Sequence, residues 1–190
     1  KRIMKKFNIS SFTSPYRANL IIKTYRNWFK REGKVLDVGC GTGIVANLLK
    51  KELGLKITGC DVKNYLVCNI PFVKIKGDKL PFPRRSFDVV LLNDVLHHID
   101  KTKQEQVIRE ALRIGKNVFI FEIEPSLSGK IFDIVLNKLH YGDLAVPLSF
   151  RYPTEWKQLF KKLSANYDYI KLKRPFWYPF THIVFRVSKF

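Results

Sequence analysis

A run of glycines beside an acidic residue is the part of the sequence best suited to chemistry. Residues 35–43 read Val-Leu-Asp-Val-Gly-Cys-Gly-Thr-Gly, so that Asp37 lies two positions before the first glycine. Glycine lets the backbone turn sharply and approach a bound molecule closely. This arrangement predicts a ligand-cradling turn between a strand and a helix. Asp37 has a second interpretation, since its carboxylate could merely cap the glycine turn.

A second acidic residue follows the next apolar run. Asp61 comes directly after residues 55–60, a predicted strand, where a carboxylate can accept hydrogen bonds from both hydroxyls of a ribose. A glycine turn alone is weak evidence, because nicotinamide and flavin enzymes use similar turns. Asp37 and Asp61 together make the pattern more specific.

Further polar residues follow the fourth and fifth predicted strands, on the side where open α/β sheets bind ligands. The fourth strand leads into Asn93, Asp94, His97 and His98, and Glu122 lies near the end of the fifth. Either histidine could act as a base, although such a pair also suits packing against a helix. The loop residues His140 and Tyr141 are further candidates for contact with a substrate.

Hydrophobic periodicity predicts the elements that position these residues. Helices alternate with strands up to residue 124, which indicates βαβ units and a mostly parallel sheet with helices on both faces. No helix is predicted between Val62 and Ile70. The predicted helices begin at Ser14-Pro15, at Thr42 and at a capping box over residues 102–105, and the strands cover 34–38, 55–60, 72–76, 87–93 and 117–123.

The pattern changes after Glu124. Residues 127–139 are predicted to be helical, 140–153 to be rich in turns, and Thr154 to cap a further helix. Two closing strands, 167–173 and 181–187, flank a segment rich in proline and aromatic residues. We expect one domain over residues 1–190, with a basic arm at 1–13 and a substrate-covering insertion at 125–153.

Composition limits the classes of protein. The chain has 35 Lys and Arg against 16 Asp and Glu, a net charge of +19, which is suited to an anionic partner or to solubility alone. The three cysteines form no disulfide framework and no zinc-ligand spacing, so we expect no metal. Neither a membrane span nor a signal peptide is recognised, which predicts a cytoplasmic protein, peripheral at a membrane surface if the charge serves lipid.

Taken together, residues 33–124 resemble the class I S-adenosylmethionine-dependent methyltransferases. Residues 35–43 are similar to the signature of that family, and residues 58–61 to its second-strand acid. Residues 76–82, Lys-Gly-Asp-Lys-Leu-Pro-Phe, resemble the loop that meets the adenine. Residues 86–99 resemble the fourth strand and following turn of the subgroup called type 11. The resemblance implies a Rossmann-like fold and S-adenosylmethionine as cofactor.

The resemblance also implies residue roles. The glycines at 39, 41 and 43 shape the turn under the methionine part of the cofactor, Asp61 binds the ribose, and Asp78 faces the adenine. Asn93 and Asp94 lie beside the methionine end. The full set of cofactor-binding residues predicted in this way is Asp37, Gly39, Cys40, Gly41, Gly43, Asp61, Val62, Gly77, Asp78, Lys79, Asn93 and Asp94.

The acceptor of the methyl group is less defined. We expect a small molecule, lipid-like or quinone-like, because the resemblance is to type 11 enzymes and the region after Glu124 is aromatic and poor in acidic residues. An RNA methyltransferase is the alternative that the net charge favours. A catalytically idle partner protein with the same fold is a third possibility. The candidates for a catalytic role are Asp94, His97, His98, Glu122, His140 and Tyr141.

Overall fold

A computed structural model describes the backbone of residues 9–29, 33–77, 79–141 and 147–189, with side chains at 16–29, 33–77, 79–127, 129–135 and 147–189. One seven-stranded sheet forms the centre, in the order β3-β2-β1-β4-β5-β7-β6. The strands are β1 Lys34–Val38, β2 Lys56–Asp61, β3 Phe72–Lys74, β4 Phe87–Asn93, β5 Gly115–Ile123, β6 Ala165–Lys171 and β7 His182–Lys189.

Helices cover both faces of this sheet, as expected for buried parallel strands. The helices are α1 Ile9–Tyr25, α2 Ile44–Leu53, α3 Lys101–Ile114, α4 Leu127–Tyr141 and α5 Pro153–Lys162, with a short 3-10 helix at Leu96–His98. Apolar residues of α1 and α2 pack in one core cluster, and those of α3 and α5 in the cluster on the opposite face. The expected α/β architecture is confirmed.

The strand register brings the candidate site residues to one edge. Strands β1, β2, β3, β4 and β5 run parallel, and β7 is antiparallel to both β5 and β6. Val38 pairs with Cys60 on one side and with Leu92 on the other, so Gly39, Asp61 and Asn93 follow at the same carboxyl edge. Strands β2 and β3 extend the sheet on one side of β1, and β4 and β5 extend it on the other. Ligands of open α/β sheets bind at the point where the strand order reverses in this way.

The predicted start of the first helix is wrong. Helix α1 begins at Ile9, so the basic arm expected at 1–13 overlaps the helix, and Ser14-Pro15 lies inside it. The helix ends at Tyr25 instead of continuing towards Gly33. A serine-proline pair is only a local preference for a helix start, and tertiary packing decides where the helix begins and ends.

Two predicted helix caps are also wrong. The N-cap of helix α3 is Asp100, two residues before the Thr102 of the expected capping box, and Glu105 instead pairs with Arg109 and Lys162. Helix α5 begins at Pro153, and the side chain of Glu155 accepts a hydrogen bond of 2.8 Å from the backbone N–H of Tyr152. Proline fits the first helical turn because its missing N–H has no partner there.

Other boundaries differ from the predictions by a few residues. Strand β5 begins at Gly115 and β6 at Ala165, each two residues earlier than expected, and α4 extends to Tyr141. The absence of a helix between Val62 and Ile70 is confirmed. Within the described ranges, every helix is too short or too polar to cross a bilayer.

Candidate active site

A cavity of about 530 Å³ runs along the carboxyl edge of the parallel strands. Its volume is typical of sites for small molecules. One end is formed by the glycine turn after β1 and by Asp61 after β2. The other end is formed by Ile123, Pro147, Tyr178 and Phe180. The cavity therefore joins the polar glycine turn to an end with apolar and aromatic side chains, which we call the apolar end; Asp133 and His182 also line the cavity.

The glycine turn needs glycine for two reasons. Gly39 has a φ of +69°, in the left-handed region that side chains other than glycine rarely adopt. A Cβ atom there would also lie 2.2 Å from the Cγ2 atom of Val95, which is far inside van der Waals contact. The turn after β1 therefore packs directly against the turn after β4, and this brings the two halves of the site together.

Asp61 is held in a fixed position beside the glycine turn. One carboxylate oxygen accepts a hydrogen bond of 2.9 Å from the backbone N–H of Gly41, and the other accepts one of 2.7 Å from that of Val62. Gly41, Val62 and Cys40 also line the cavity. A half-buried carboxylate at the end of the second strand has the chemistry that recognition of ribose hydroxyls requires, so the residues present fit a nucleoside cofactor.

Asp37 lies beneath the turn and is almost fully buried. Burial raises the pKa of its carboxyl group from 3.8 to about 7, although the guanidinium of Arg17 acts in the opposite direction. A cation that binds beside such a buried carboxyl group stabilises its ionised form. Asp37 lines the cavity, where a positively charged part of a ligand would lower this pKa.

The remaining residues of the predicted cofactor set have different positions. Gly77 lines the cavity, whereas Gly43 is the N-cap of α2 and Lys79 lies outside the lining. Asp78 lies outside the described residues. The assignment of cofactor contacts to these positions stays a prediction.

Helix α1 fixes the two polar residues that follow β4. The guanidinium of Arg17 donates a hydrogen bond of 2.9 Å to Asp94, and the hydroxyl of Tyr25 donates one of 2.8 Å to the side-chain oxygen of Asn93. Asp94 has a φ of +50°, which is uncommon for a residue with a side chain. This strained conformation is held by the ion pair and by a 2.7 Å bond from its N–H to the carbonyl of Phe121.

Asp94 also lies close to a histidine from the last strand. Nε2 of His182 is 3.5 Å from the carboxylate of Asp94, and both side chains are buried. Burial alone would raise the pKa of Asp94, but His182 and Arg17 outweigh burial and hold this pKa well below its usual range. Asp94 is therefore a fixed negative charge in the wall of the cavity and no acid–base catalyst near neutral pH.

Glu122 organises the turn that carries both candidate histidines. One of its carboxylate oxygens accepts hydrogen bonds from the backbone N–H groups of Val95 and Leu96, at 3.1 and 2.7 Å. The other lies 2.6 Å from Nδ1 of His97. Glu122 is 1% exposed and does not line the cavity, so its position favours a structural role over contact with a substrate.

His97 and His98 lie in different surroundings. His97 is buried behind the cavity between Glu122 and Asp133. These two carboxylates outweigh burial and raise its pKa to about 10. His98 lines the cavity, and burial together with the positive charge of His97 lowers its pKa to about 4. His98 is therefore neutral at pH 7 and able to accept a proton or a hydrogen bond, whereas His97 is a fixed cation.

The segment expected to cover the substrate borders the apolar end of the cavity. Asp133 of α4 and Pro147 both line it. The carbonyl of His97 accepts a bond of 2.8 Å from the N–H of Ser149, and the ring of Phe150 stacks on that of His97 with 4.9 Å between centroids. The side chains of His140 and Tyr141 lie outside those described.

Sequence reasoning missed several residues of this site. Arg17 and Tyr25 come from α1, and Asp133, Tyr178 and His182 come from the region after β5. Arg17, Tyr25 and His182 each belong to a regular helix or strand pattern, which gives no local indication of a polar role. Tyr178 lies in the aromatic segment 174–179, in which Tyr178 is buried and Phe176 is 96% exposed.

The sequence matches a known family and several curated proteins. Residues 36–119 match the family described as "Methyltransferase domain". A demethylmenaquinone methyltransferase from Chlorobaculum tepidum is 40% identical over 149 residues, which are 74% of this chain and 57% of that protein. An uncharacterised protein from Methanocaldococcus jannaschii is 30% identical over 146 residues, 74% of this chain and 70% of that protein.

The fold is also similar to solved structures. The structure of a protein from Pyrococcus horikoshii OT3 superposes with a TM-score of 0.73, at 18% identity, and covers 99% of this chain and 97% of that one. By contrast, this chain spans less than two thirds of the length of several curated relatives that it matches, for example 21% of a rat mitochondrial arginine hydroxylase.

Proposed function

Because the chain belongs to the class I S-adenosylmethionine-dependent methyltransferase family, in its type 11 group, we propose that it transfers the cofactor's methyl group to a small apolar acceptor of lipid or quinone type. The observation that carries this proposal is the character of the cavity. Carboxylates lie at its cofactor end beside the glycine turn, and its far end holds the apolar and aromatic side chains of Ile123, Pro147, Tyr178 and Phe180.

The cofactor end suits a positively charged nucleoside. S-adenosylmethionine supplies an electrophilic methyl group on a cationic sulfonium. Asp61 is placed to accept hydrogen bonds from the ribose hydroxyls, and Asp37 is placed near the turn that would hold the methionine part. The negative charge of Asp94 complements the positive charge of the same part. These residues bind and orient; none of them needs to transfer a proton.

The charge of the cavity argues for a small acceptor over RNA. An RNA substrate requires cations that converge on the cavity and neutralise phosphates. The described cavity wall holds five carboxylates against two cations, namely Asp37, Asp61, Asp94, Asp100 and Asp133 against Arg17 and Lys103. One of the cations, Arg17, is paired with Asp94. The net charge of +19 therefore lies elsewhere on the protein.

The acceptor end suits an apolar ring or chain. Tyr178 and Phe180 pack with Ile123 and Phe150 in a separate cluster at this end. Apolar walls exclude water and leave the acceptor's nucleophile as the group nearest the methyl donor, which is the main requirement for methyl transfer. The relative from Chlorobaculum tepidum is by name a methyltransferase of a quinone precursor, and this supports the same acceptor class here.

His98 is the residue best placed to act on the acceptor. It lines the cavity and it is neutral at pH 7. A hydroxyl acceptor could donate its proton towards His98 as its oxygen attacks the methyl group. A carbon or amine acceptor would need such a base only if it must lose a proton during attack.

Methyl-labelled cofactor tests the proposal directly. The protein is incubated with S-adenosylmethionine labelled at the methyl group, together with either a hydroquinone lipid or total RNA. The label is then measured in the organic and aqueous phases. We expect label in the hydroquinone lipid, and at least about tenfold less at a subsaturating cofactor concentration when Asp61→Ala replaces the parent. Transfer of label to RNA alone would show that the acceptor class is wrong.

A further inference from the structure

The outward face of α4 is apolar although it faces solvent. Leu127 is 79% exposed, and Ile131, Phe132, Ile134 and Val135 are also exposed. A single exposed apolar residue needs no explanation, but a contiguous group of them indicates an interaction surface. This group follows one side of the helix, since residues four and seven apart lie on one face.

The inward face of the same helix is already occupied. A Cβ atom on Gly129 would lie 3.8 Å from the Phe180 ring, and Asp133 approaches Nε2 of His97 at 3.6 Å. At 100° per residue, these two positions point away from Leu127 and Ile131. The exposed apolar face is therefore a second face, opposite the one that closes the cavity, and none of the described residues covers it.

A second exposed apolar group lies at the turn between β6 and β7. Phe176 is 96% exposed and Trp177 is 45% exposed, whereas the neighbouring Tyr178 is buried in the cavity wall. Tyr178 and Phe180 belong to the aromatic cluster that Gly129 of α4 approaches. Both exposed groups thus lie on elements that contribute to the cavity wall, α4 through Asp133 and the turn through Tyr178. We name them together the apolar rim, defined as Leu127, Ile131, Phe132, Ile134, Val135, Phe176 and Trp177.

Cationic residues lie beside the apolar rim in the sequence. Lys130 lies within α4, and Lys173 and Arg174 directly precede the turn. The acidic residue within 127–135 is Asp133, which is buried on the inward face. Segment 171–180 contains no acidic residue. Exposed apolar and aromatic side chains beside cations are the composition of surfaces that insert into anionic lipid interfaces.

We propose that the apolar rim docks onto an anionic lipid bilayer and places the acceptor end of the cavity at the membrane surface. A second copy of the chain fits this face less well, because two chains of charge +19 repel each other. Nucleic acid fits less well because it offers phosphates and no apolar phase. The proposal does not depend on methyl transfer, since docking requires neither cofactor nor turnover.

Vesicle flotation at 150 mM salt tests this surface. The probes are vesicles of phosphatidylcholine alone and of phosphatidylcholine with about a third of phosphatidylglycerol. We expect the parent to float with the anionic vesicles and to bind the neutral ones at least tenfold more weakly. The triple variant Leu127→Ser, Ile131→Ser, Phe176→Ser should lose at least tenfold in binding to anionic vesicles.

A matched control compares the apolar rim with an exposed apolar residue elsewhere on the protein. Val67 is 70% exposed on the opposite half of the protein, between β2 and β3, and Val67→Ser should bind vesicles as the parent does. The double variant Lys130→Glu, Lys173→Glu should reduce the preference for anionic lipid while the apolar rim is intact. Circular dichroism of each variant establishes that it folds.

Several outcomes overturn the proposal. The parent binds neither vesicle, or the folded triple variant binds as well as the parent does, or Val67→Ser weakens binding as much as the triple variant. Light scattering that shows a dimer of the parent, converted to monomer by the triple substitution, would instead assign the rim to a second copy. Labelled methyl transfer to a soluble hydroquinone in the absence of vesicles tests the proposed function separately.

Discussion

Nδ1 of His97 lies 2.6 Å from a carboxylate oxygen of Glu122, with both side chains 2% exposed, while the adjacent His98 faces the cavity. The same glutamate accepts hydrogen bonds from the two backbone N–H groups at the start of the short 3-10 helix. One buried carboxylate thus fixes the turn and keeps His97 charged, and burial together with that charge keeps His98 neutral. The two neighbouring histidines consequently have opposite roles.

The first prediction concerns the dependence of stability on pH. The pKa of His97 is 6.5 before folding and about 10 in the folded protein, so its stabilising contribution is fully present below pH 6.5 and is lost as the pH rises to about 10. His97→Gln should therefore destabilise the protein by about 3 kcal/mol at pH 6. This difference should shrink by pH 10, as measured by urea unfolding.

His98→Gln is the matched comparison, with the opposite sign. Its pKa falls from 6.5 to about 4 on folding, so its contribution to stability is present above pH 6.5 and is lost as the pH falls towards 4. The His98→Gln variant should consequently lose less stability than the parent between pH 7 and 4. Equal pH profiles for both variants would contradict the assignment of the two charges.

The second prediction concerns turnover. If the acceptor reacts through a hydroxyl group, His98→Ala should lower kcat by at least about tenfold, because a positioned base typically contributes at least that much. The affinity for S-adenosylhomocysteine, measured by calorimetry, should not change. An equal loss in cofactor affinity would show that His98 supports the cofactor site or the turn instead.

The third prediction concerns Asp61. Its replacement by Ala removes the acceptor for the ribose hydroxyls, and hydrogen bonds to a charged group contribute about 1.5–3 kcal/mol each. Cofactor affinity should fall at least about tenfold. Asp88→Ala is a suitable control, because Asp88 lies near the start of β4 and pairs with Lys116. A Kd unchanged by Asp61→Ala rules out the proposed ribose contact.

The fourth prediction concerns cofactor choice. At about one hundred times its Kd, S-adenosylmethionine should stabilise the folded protein by about 2.7 kcal/mol. For a chain of this size the increase in Tm is about 5–10 °C. NAD should give no increase, because the turn reads Gly-Cys-Gly-Thr-Gly with Asp37 two residues before it, whereas a dinucleotide-binding turn reads Gly-x-Gly-x-x-Gly. Thermal unfolding with both nucleotides, and with S-adenosylhomocysteine as a third ligand, makes the comparison.

The sequence was sufficient for the parallel sheet and for the glycine turn. Buried parallel strands leave continuous apolar runs such as residues 89–92, and a turn with a left-handed φ requires glycine at positions such as Gly39. Both requirements are local, so both are visible in the order of residues. Helix caps were predicted less well, because Ser14, Thr102 and Thr154 have the composition of caps at positions where packing places the helix start elsewhere.

Only the tertiary structure decided which titratable side chains are charged and which residues they pair with. The sequence places His97 and His98 side by side and offers no reason to prefer one, because the difference arises from Glu122 on another strand and Asp133 on a later helix. Likewise Arg17 reaches Asp94 across 77 residues. Electrostatic interactions depend on distance in space and on burial, and neither follows from separation along the chain. The sequence by itself determined the fold and predicted the cofactor class; the packing of α1, α4 and β7 against the carboxyl edge decided which residues face the cavity.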